Sequence, residues 1–250
     1  VSRAAAGHPE TVRGTRITEA VFLGRFTFLG FQRLNASIRP PVWRRAFDST
    51  LGALADALDR MGVRPNMLTW LSLAPAAASL VASAMGHFRL AVAMMLCSGF
   101  CDLLDGPLAR RTGQTSKFGA LLDSTLDRFA DAAPLLGLAY FYAPYPNAAL
   151  AAAAAVFGGY SVSYVRARAE GLNINLPPLW MRRTERLVIT GVGLLLAPIT
   201  VPDIDVPAPF TLLTVCILGA LSLIAAAHAL WAAANITRVK KTSDVRISGR

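Results

Sequence analysis

Apolar residues along this chain gather into long runs separated by short polar seams, a pattern that predicts helices rather than strands. With about 20 mostly apolar residues taken as one crossing of a ~30 Å hydrocarbon core, six candidate spans stand out. They lie near 67–86, 88–110, 118–142, 146–168, 185–200 and 209–235. Ahead of them, residues 41–62 (PVWRRAFDSTLGALADALDRMG) alternate apolar and charged faces, with Trp43, Phe47, Leu51, Leu54, Leu58 and Met61 on one stripe. A basic, tryptophan-bearing helix of that kind lies along a membrane interface more readily than it crosses. Segment 18–31 (TEAVFLGRFTFLGF) is apolar but short and broken by Arg25, which suits an interfacial segment or one packed on the bundle. The expected fold is an all-α membrane protein of six transmembrane helices with an N-terminal amphipathic interfacial helix. The expected organisation is an extension over 1–40, a juxtamembrane helix over 41–64, a six-helix domain over 65–236 and a basic tail over 237–250.

Composition agrees with that reading and charge orients it. The 250 residues are 54% hydrophobic and 16% charged, yet carry a formal charge of +10. A polytopic membrane protein with one basic face combines these properties; a soluble domain rarely does. The seams 86–89, 143–147 and 200–205 hold one basic residue, Arg89. The opposite ends carry Arg60 and Arg64, then Arg110, Arg111 and Lys117, then Arg166, Arg168, Arg182, Arg183 and Arg186, then Arg238, Lys240 and Lys241. The positive-inside rule places those ends, and both termini, in the cytoplasm. The expected partners of the basic face are membrane lipids, not nucleic acid. Cys97, Cys101 and Cys216 lie in apolar segments without metal-ligand spacing and read as packing residues.

Against this background the stretch CDLLDGPLARRTGQTSKFGALLDSTLDRFAD (Cys101 to Asp131) is anomalous. Asp102 and Asp105 share one face of the second span, and Asp123 and Asp127 share one face of the third, with Asp131 a turn further on. The loop from Arg111 to Ser116 is short, which predicts that the two spans are antiparallel neighbours. Asp102 lies eight residues before Arg110 and Asp123 six after Lys117, so at 1.5 Å per residue both sit roughly 10 Å below the cytoplasmic interface. An unpaired carboxylate at such depth costs about 2.5–3.5 kcal/mol, and clustering adds repulsion. Divalent cations remove that cost, and oxygen-only ligation suits Mg²⁺, Mn²⁺ or Ca²⁺. Two other readings answer the same problem. One is a set of interhelical salt bridges with Arg110, Arg111 and Arg128 as counter-ions. The other is a cation-dependent transporter or lipid-binding protein, although no second charged layer continues toward the outer face. Gly106 and Gly119 leave room for a planar group against the backbone, and Arg110 can hold a phosphate. Metal, phosphate clamp and flat pocket together suggest a nucleotide-activated lipid.

The spacing Asp102-x₂-Asp105-Gly106-x₂-Ala109-Arg110-x₈-Gly119-x₃-Asp123-x₃-Asp127 resembles the signature of the CDP-alcohol phosphotransferases, also called CDP-alcohol phosphatidyltransferases. Pro65-Asn66-x₂-Thr69 resembles a second recurring element of that family, and the likeness runs over about residues 40–235. The resemblance implies an enzyme in which Asp102, Asp105, Asp123 and Asp127 bind two divalent ions, Mg²⁺ or Mn²⁺. It implies that Asn66, Thr69, Gly106, Arg110, Ser116 and Gly119 cradle the CDP part of CDP-diacylglycerol, and that Asp127 is the general base. It further implies a homodimer in a bacterial inner membrane, with the active site facing the cytoplasm. The small-residue run Ala148 to Gly159 would permit close helix contact, between protomers or within one. Asp131 lies outside the motif, with pairing to Arg128 or another arginine as open a role as catalysis.

The acceptor is read from the third basic cluster. Tyr164-x-Arg166-Ala167-Arg168-Ala169-Glu170 followed by Glu185-Arg186-Leu187 resembles the phosphatidylinositol-phosphate synthase branch. There Arg166 and Arg186 would hold the phosphate of an alcohol-phosphate acceptor, inositol phosphate first, with glycerol 3-phosphate or another small alcohol as the alternative. Arg166 stands where the branch has lysine, and Ala226, with His228 nearby, where it has arginine.

Overall fold

The structure is a computed structural model describing residues 42–202 and 204–248, with side chains for 49–202 and 204–238. Expectations about 1–40, segment 18–31, Trp43 and Phe47 therefore lie outside the described residues or side chains. Contacts divide the chain after Thr50; of the first unit only the helical start of α1 is described, and the interactions reported below lie within residues 51–250.

Seven α-helices and no strand are present among the described residues: α1 (Val42–Arg60), α2 (Pro65–Ala84), α3 (Phe88–Arg111), α4 (Lys117–Phe141), α5 (Pro146–Gly171), α6 (Arg183–Leu195) and α7 (Pro209–Ser248). Proline begins α2, α5 and α7, where its fixed φ suits the first turn and its missing N–H goes unused. Ser116 starts α4 by accepting a hydrogen bond from the Gly119 N–H at 2.9 Å. Gly86 (φ 76°) and Gly113 (φ 66°) supply the left-handed turns between α2 and α3 and between α3 and α4.

Three helices, α2, α5 and the Pro209–Arg238 part of α7, are long and apolar enough to cross a membrane. Large side chains such as Trp70, Leu96, Phe157 and Trp231 are exposed on the outer surface, as lipid-facing residues would be; the chain is that of a membrane protein. Helices α3 and α4 have the length but carry the carboxylates. Helix α6 has 13 residues, about 20 Å at 1.5 Å per residue, short of a ~30 Å core; the turn at Leu196 to Pro198 ends it earlier than the apolar run predicts. Helix α7 goes the other way. Its apolar part, Pro209–Arg238, covers the expected span, but the helix runs on through the basic segment because no Gly or Pro interrupts Ile236 to Ser248.

Helices α3 and α4 are joined by the short loop and touch each other, but sparingly; α2 packs extensively against both. Gly137 allows the close approach on the α4 side, since a Cβ there would meet the Leu80 carbonyl and the Ser83 Cβ of α2. Keeping α3 and α4 apart leaves space between their carboxylates, which direct packing would have closed.

The main core joins Ala82, Ala91, Leu138, Tyr142, Ala152, Leu194 and Leu218 with their neighbours. The buried Tyr142 hydroxyl donates to the Ala208 carbonyl at 3.0 Å, tying the end of α4 to the start of α7. The small-residue run of α5 is used within the protomer: Ala148, Ala152, Ala155 and Gly158 are buried, and Gly158 and Gly219 bring α5 and α7 backbones together. A second cluster, Leu51, Ala55, Leu68, Leu104 and Leu108, anchors the rest of α1 to α2 and α3. Leu51, Ala55 and Leu58 form its inward face, whereas Leu54 and Met61 of the expected stripe are exposed. Arg111 pairs with Asp56 of α1. The two clusters leave the carboxylate level of α3 and α4 as a polar gap.

Candidate active site

Asp102 on α3 and Asp123 and Asp127 on α4 each offer a carboxylate oxygen, all within 4.8 Å of one another. The acids of the two helices thus meet one another, as their spacing implies. Asp105 is part of the same face but not of this group of three; it is buried, and its Oδ2 accepts from Thr69 Oγ1 of α2 at 2.7 Å. Thr69 Oγ1 also lies 3.1 Å from the Pro65 carbonyl, so the first turns of α2 fix the carboxylate of Asp105.

The residues fit a divalent cation on their own geometry. The donor set is oxygen only, which favours a hard ion. Asp127 Oδ1 is buried and accepts no aligned hydrogen bond among the described residues, although an Arg183 nitrogen lies 2.7 Å away. That contact is Coulombic rather than a directed hydrogen bond, so the oxygen's hydrogen-bonding capacity is unfilled although a positive charge stands beside it.

Two cavities flank the cluster. The first, about 200 Å³, is lined by Asn66, Thr69, Gly106, Arg110, Ser116 and Gly119, with Asp105 and Asp123 on its wall. All the residues expected to hold CDP are therefore brought together. Gly119 is needed for its shape, since a Cβ would come 3.1 Å from Ser116 Oγ and 3.3 Å from Asn66 Oδ1. Arg110, at the open end, is exposed.

The second cavity, about 120 Å³, is walled by Asp127, Asp131, Arg166, Arg182, Arg183 and Arg186, with Met181 and Ser163. Arg186 is 8% exposed, and its guanidinium donates to Asp131 Oδ2 at 2.7 Å and to the Met181 carbonyl at 2.9 Å. Met181 presents that carbonyl from a left-handed backbone, φ 57°, a conformation costing roughly 1–2 kcal/mol outside glycine. Helix α6 begins where the Glu185 carboxylate accepts from the Arg182 N–H at 2.9 Å. Arg183 and Arg186 thus project from its first turns, against the helix dipole, and acids of α3 and α4 offset the cost.

These contacts show which arginines the acids pair with. Asp131 pairs with Arg183 (3.1 Å) and Arg186 (2.7 Å), whereas Arg128 donates to the Ser124 carbonyl. The counter-ion of the cluster is Arg183, whose NH1 lies 2.5 Å from Asp102 Oδ2 and 2.7 Å from Asp127 Oδ1. Arg110, Arg111 and Arg128, the counter-ions of the salt-bridge alternative, do not take that place. The local signal was present in Arg183-Thr184-Glu185-Arg186, two arginines three apart beside a capping acid. His228 is exposed and stacked on Trp231 with centroids 6.0 Å apart; it lines neither cavity.

Comparison with known proteins places this geometry. A family model for CDP-alcohol phosphatidyltransferases matches residues 62–239. The phosphatidylinositol phosphate synthase of Streptomyces avermitilis is 38% identical over 190 residues, 72% of this chain and 78% of its own. That of Cutibacterium acnes is 36% identical over 157 residues, 61% of this chain and 75% of its own. Two crystal structures of the Mycobacterium tuberculosis phosphatidylinositol phosphate synthase superpose with a TM-score of 0.66 at 26% identity over 73% of this chain. One, with CDP-DAG bound, is matched over 92% of its length, and the other, in complex with manganese and citrate, over 88%. The matched segment contains the carboxylate cluster and both cavities, and this chain belongs to the CDP-alcohol phosphatidyltransferase family, a family of transferases.

Proposed function

We propose that this protein transfers the phosphatidyl group of CDP-diacylglycerol to a hydroxyl of inositol phosphate, releasing CMP. The observation that carries the reading is the position of the carboxylates between two unlike cavities. One is lined by the nucleotide motif, and the other by arginines, Arg186 buried among them. The CDP headgroup enters the first cavity, with Asn66, Thr69, Gly106, Ser116 and Gly119 around the nucleotide and Arg110 on a phosphate. The acceptor phosphate enters the second, held by Arg166 and Arg186. Its hydroxyl then faces Asp127, which takes the proton as the oxygen attacks the lipid-side phosphorus and the bond to CMP breaks. Two divalent ions, Mg²⁺ or Mn²⁺, held by Asp102, Asp105, Asp123 and Asp127, would neutralise the pyrophosphate and stabilise the leaving CMP. The manganese in a crystal structure of the mycobacterial synthase supports a divalent requirement.

The acceptor assignment is tested by a panel. With CDP-diacylglycerol as donor, inositol phosphate should give the highest kcat/KM among inositol phosphate, glycerol 3-phosphate, inositol and serine, with the lipid product identified by mass. Preference for glycerol 3-phosphate would replace the acceptor but keep the site. Preference for an uncharged alcohol would remove the role given to Arg186.

The membrane arrangement belongs to the same reading. Six crossings, the short α6 among them, with both termini cytoplasmic would put the cluster at the cytoplasmic face of a bacterial inner membrane, the side on which the positive-inside rule sets the basic residues. A cysteine introduced at Pro146 or Pro202 should react with an impermeant thiol reagent from outside, and one at Thr115 or Asn173 should not; the opposite pattern would invert the site. The homodimer implied by the family likeness would use a face other than Ala148, Ala152, Ala155 and Gly158 of α5, which are buried within the protomer. A monomeric mass in mild detergent with activity retained would remove the dimer.

A further inference from the structure

Two of the proposed metal ligands are already claimed. A single guanidinium nitrogen of Arg183 lies 2.5 Å from Asp102 and 2.7 Å from Asp127, and both acids belong to the group whose oxygens converge within 4.8 Å. The nitrogen therefore bridges α3 and α4 between carboxylates that a divalent ion would also need. A cation of charge +2 and a guanidinium cannot share those oxygens without strong repulsion.

Three features make this guanidinium displaceable. Its contact with Asp127 is close but not aligned as a hydrogen bond, so the directed hold on the pair is the bond to Asp102 alone. Its Nε donates to Asp131 at 3.1 Å, and Asp131 lies outside the converging group of three. The other oxygen of Asp131 is fixed by Arg186 at 2.7 Å, which makes Asp131 a pivot that stays when the head of Arg183 moves. Space for that movement exists, because Arg183 borders the cavity of about 120 Å³.

We propose that Arg183 is a built-in competitor of the divalent cation, holding Asp102 and Asp127 until the ion displaces its guanidinium about the Asp131 contact. This inference rests on the phosphatidyltransferase reading for the kind of cation. It gives the arginine two effects. Like-charge repulsion between α3 and α4 is relieved whether or not an ion is bound. The affinity of the site is also set below what the carboxylates alone would provide.

The test is Mn²⁺ binding to the purified full-length protein, followed by loss of the free aqua-Mn²⁺ paramagnetic resonance signal. Arg183→Gln should bind Mn²⁺ about ten- to a hundredfold more tightly, the equivalent of one competing charge-assisted hydrogen bond. Arg183→Lys, which keeps the charge but not the planar fork, should tighten binding by a smaller factor. Arg182→Gln makes the same charge change at a guanidinium that donates to the Leu179 carbonyl, and should move the affinity less than about threefold. Unchanged or weaker binding in Arg183→Gln would overturn the proposal, as would an equal gain in Arg182→Gln, which would mean a general field effect. If Arg183→Gln does not fold, Arg183→Lys decides alone: tighter binding supports competition, and unchanged or weaker binding overturns it. No Mn²⁺ binding by the wild type would defeat the metal reading of the site itself, whereas wild-type binding with unresponsive variants defeats only the competition.

Discussion

Asp123→Asn should reduce turnover by at least about a thousandfold while the protein still inserts and unfolds near its usual temperature. Asp123 is the informative position because it belongs to the converging carboxylates but, unlike Asp102, Asp127 and Asp131, makes no ion pair with Arg183 or Arg186 among the described residues. The substitution removes one negative ligand and leaves the arginine network in place. Losing transition-state charge stabilisation of this kind costs about 4 kcal/mol or more, hence the thousandfold loss. Metal affinity should fall in parallel, read by Mn²⁺ titration. Asp127→Asn should be at least as damaging, since it removes both a ligand and the proposed base, and general-base catalysis alone contributes about 10²–10⁴-fold. Near-normal activity of Asp123→Asn at limiting Mg²⁺ would show the two-metal assignment to be wrong.

The second large effect is expected at Arg186. Arg186→Ala should lower kcat/KM for inositol phosphate by about ten- to a hundredfold, mainly through KM, because a charge-assisted hydrogen bond to a phosphate is worth roughly 1.5–3 kcal/mol. Affinity for CDP-diacylglycerol should change little, since Arg186 lies on the second cavity and the nucleotide motif lines the first. The variant should also be less stable, because the bond to Asp131 and the bond to the Met181 carbonyl are lost together. Arg186→Lys is therefore the companion: it keeps a charge near Asp131 but cannot reproduce both bonds. Arg110→Ala should show the converse pattern, with weakened donor binding. Unchanged inositol phosphate kinetics in Arg186→Ala would reduce the basic cavity to membrane topology.

The sequence was most legible where chemistry is carried by local spacing. The three- and four-residue intervals from Asp102 to Asp127 put the acids on common helix faces, and the nucleotide residues converge on one cavity as their motif implied. Helix starts at Pro65, Phe88, Lys117, Pro146 and Pro209 follow from proline, the Ser116 cap and the polar seams. What could not be read depends on contacts distant in sequence. Arg183 meets Asp102 across 81 positions, and the two arginines three apart beside a capping acid in α6 mark a local cluster without naming its partners. The extensive packing of α2 against both α3 and α4 was equally hidden, because a short loop constrains only the loop ends and Gly137 reveals its purpose only beside Leu80 and Ser83. The full length of α7 was not readable for a different reason: a basic segment after an apolar run marks where a span ends and says nothing of where the helix ends.

The central claim is that a carboxylate-bound divalent ion drives transfer from CDP-diacylglycerol to an alcohol phosphate. Its most direct test is CMP release by the purified protein supplied with CDP-diacylglycerol and inositol phosphate, with the lipid product quantified in the same samples. The account predicts one CMP per phosphatidylinositol phosphate formed, no release in excess chelator, and recovery on adding Mg²⁺ or Mn²⁺. CMP release that persists in chelator, or metal binding with neither CMP nor lipid product, would contradict it.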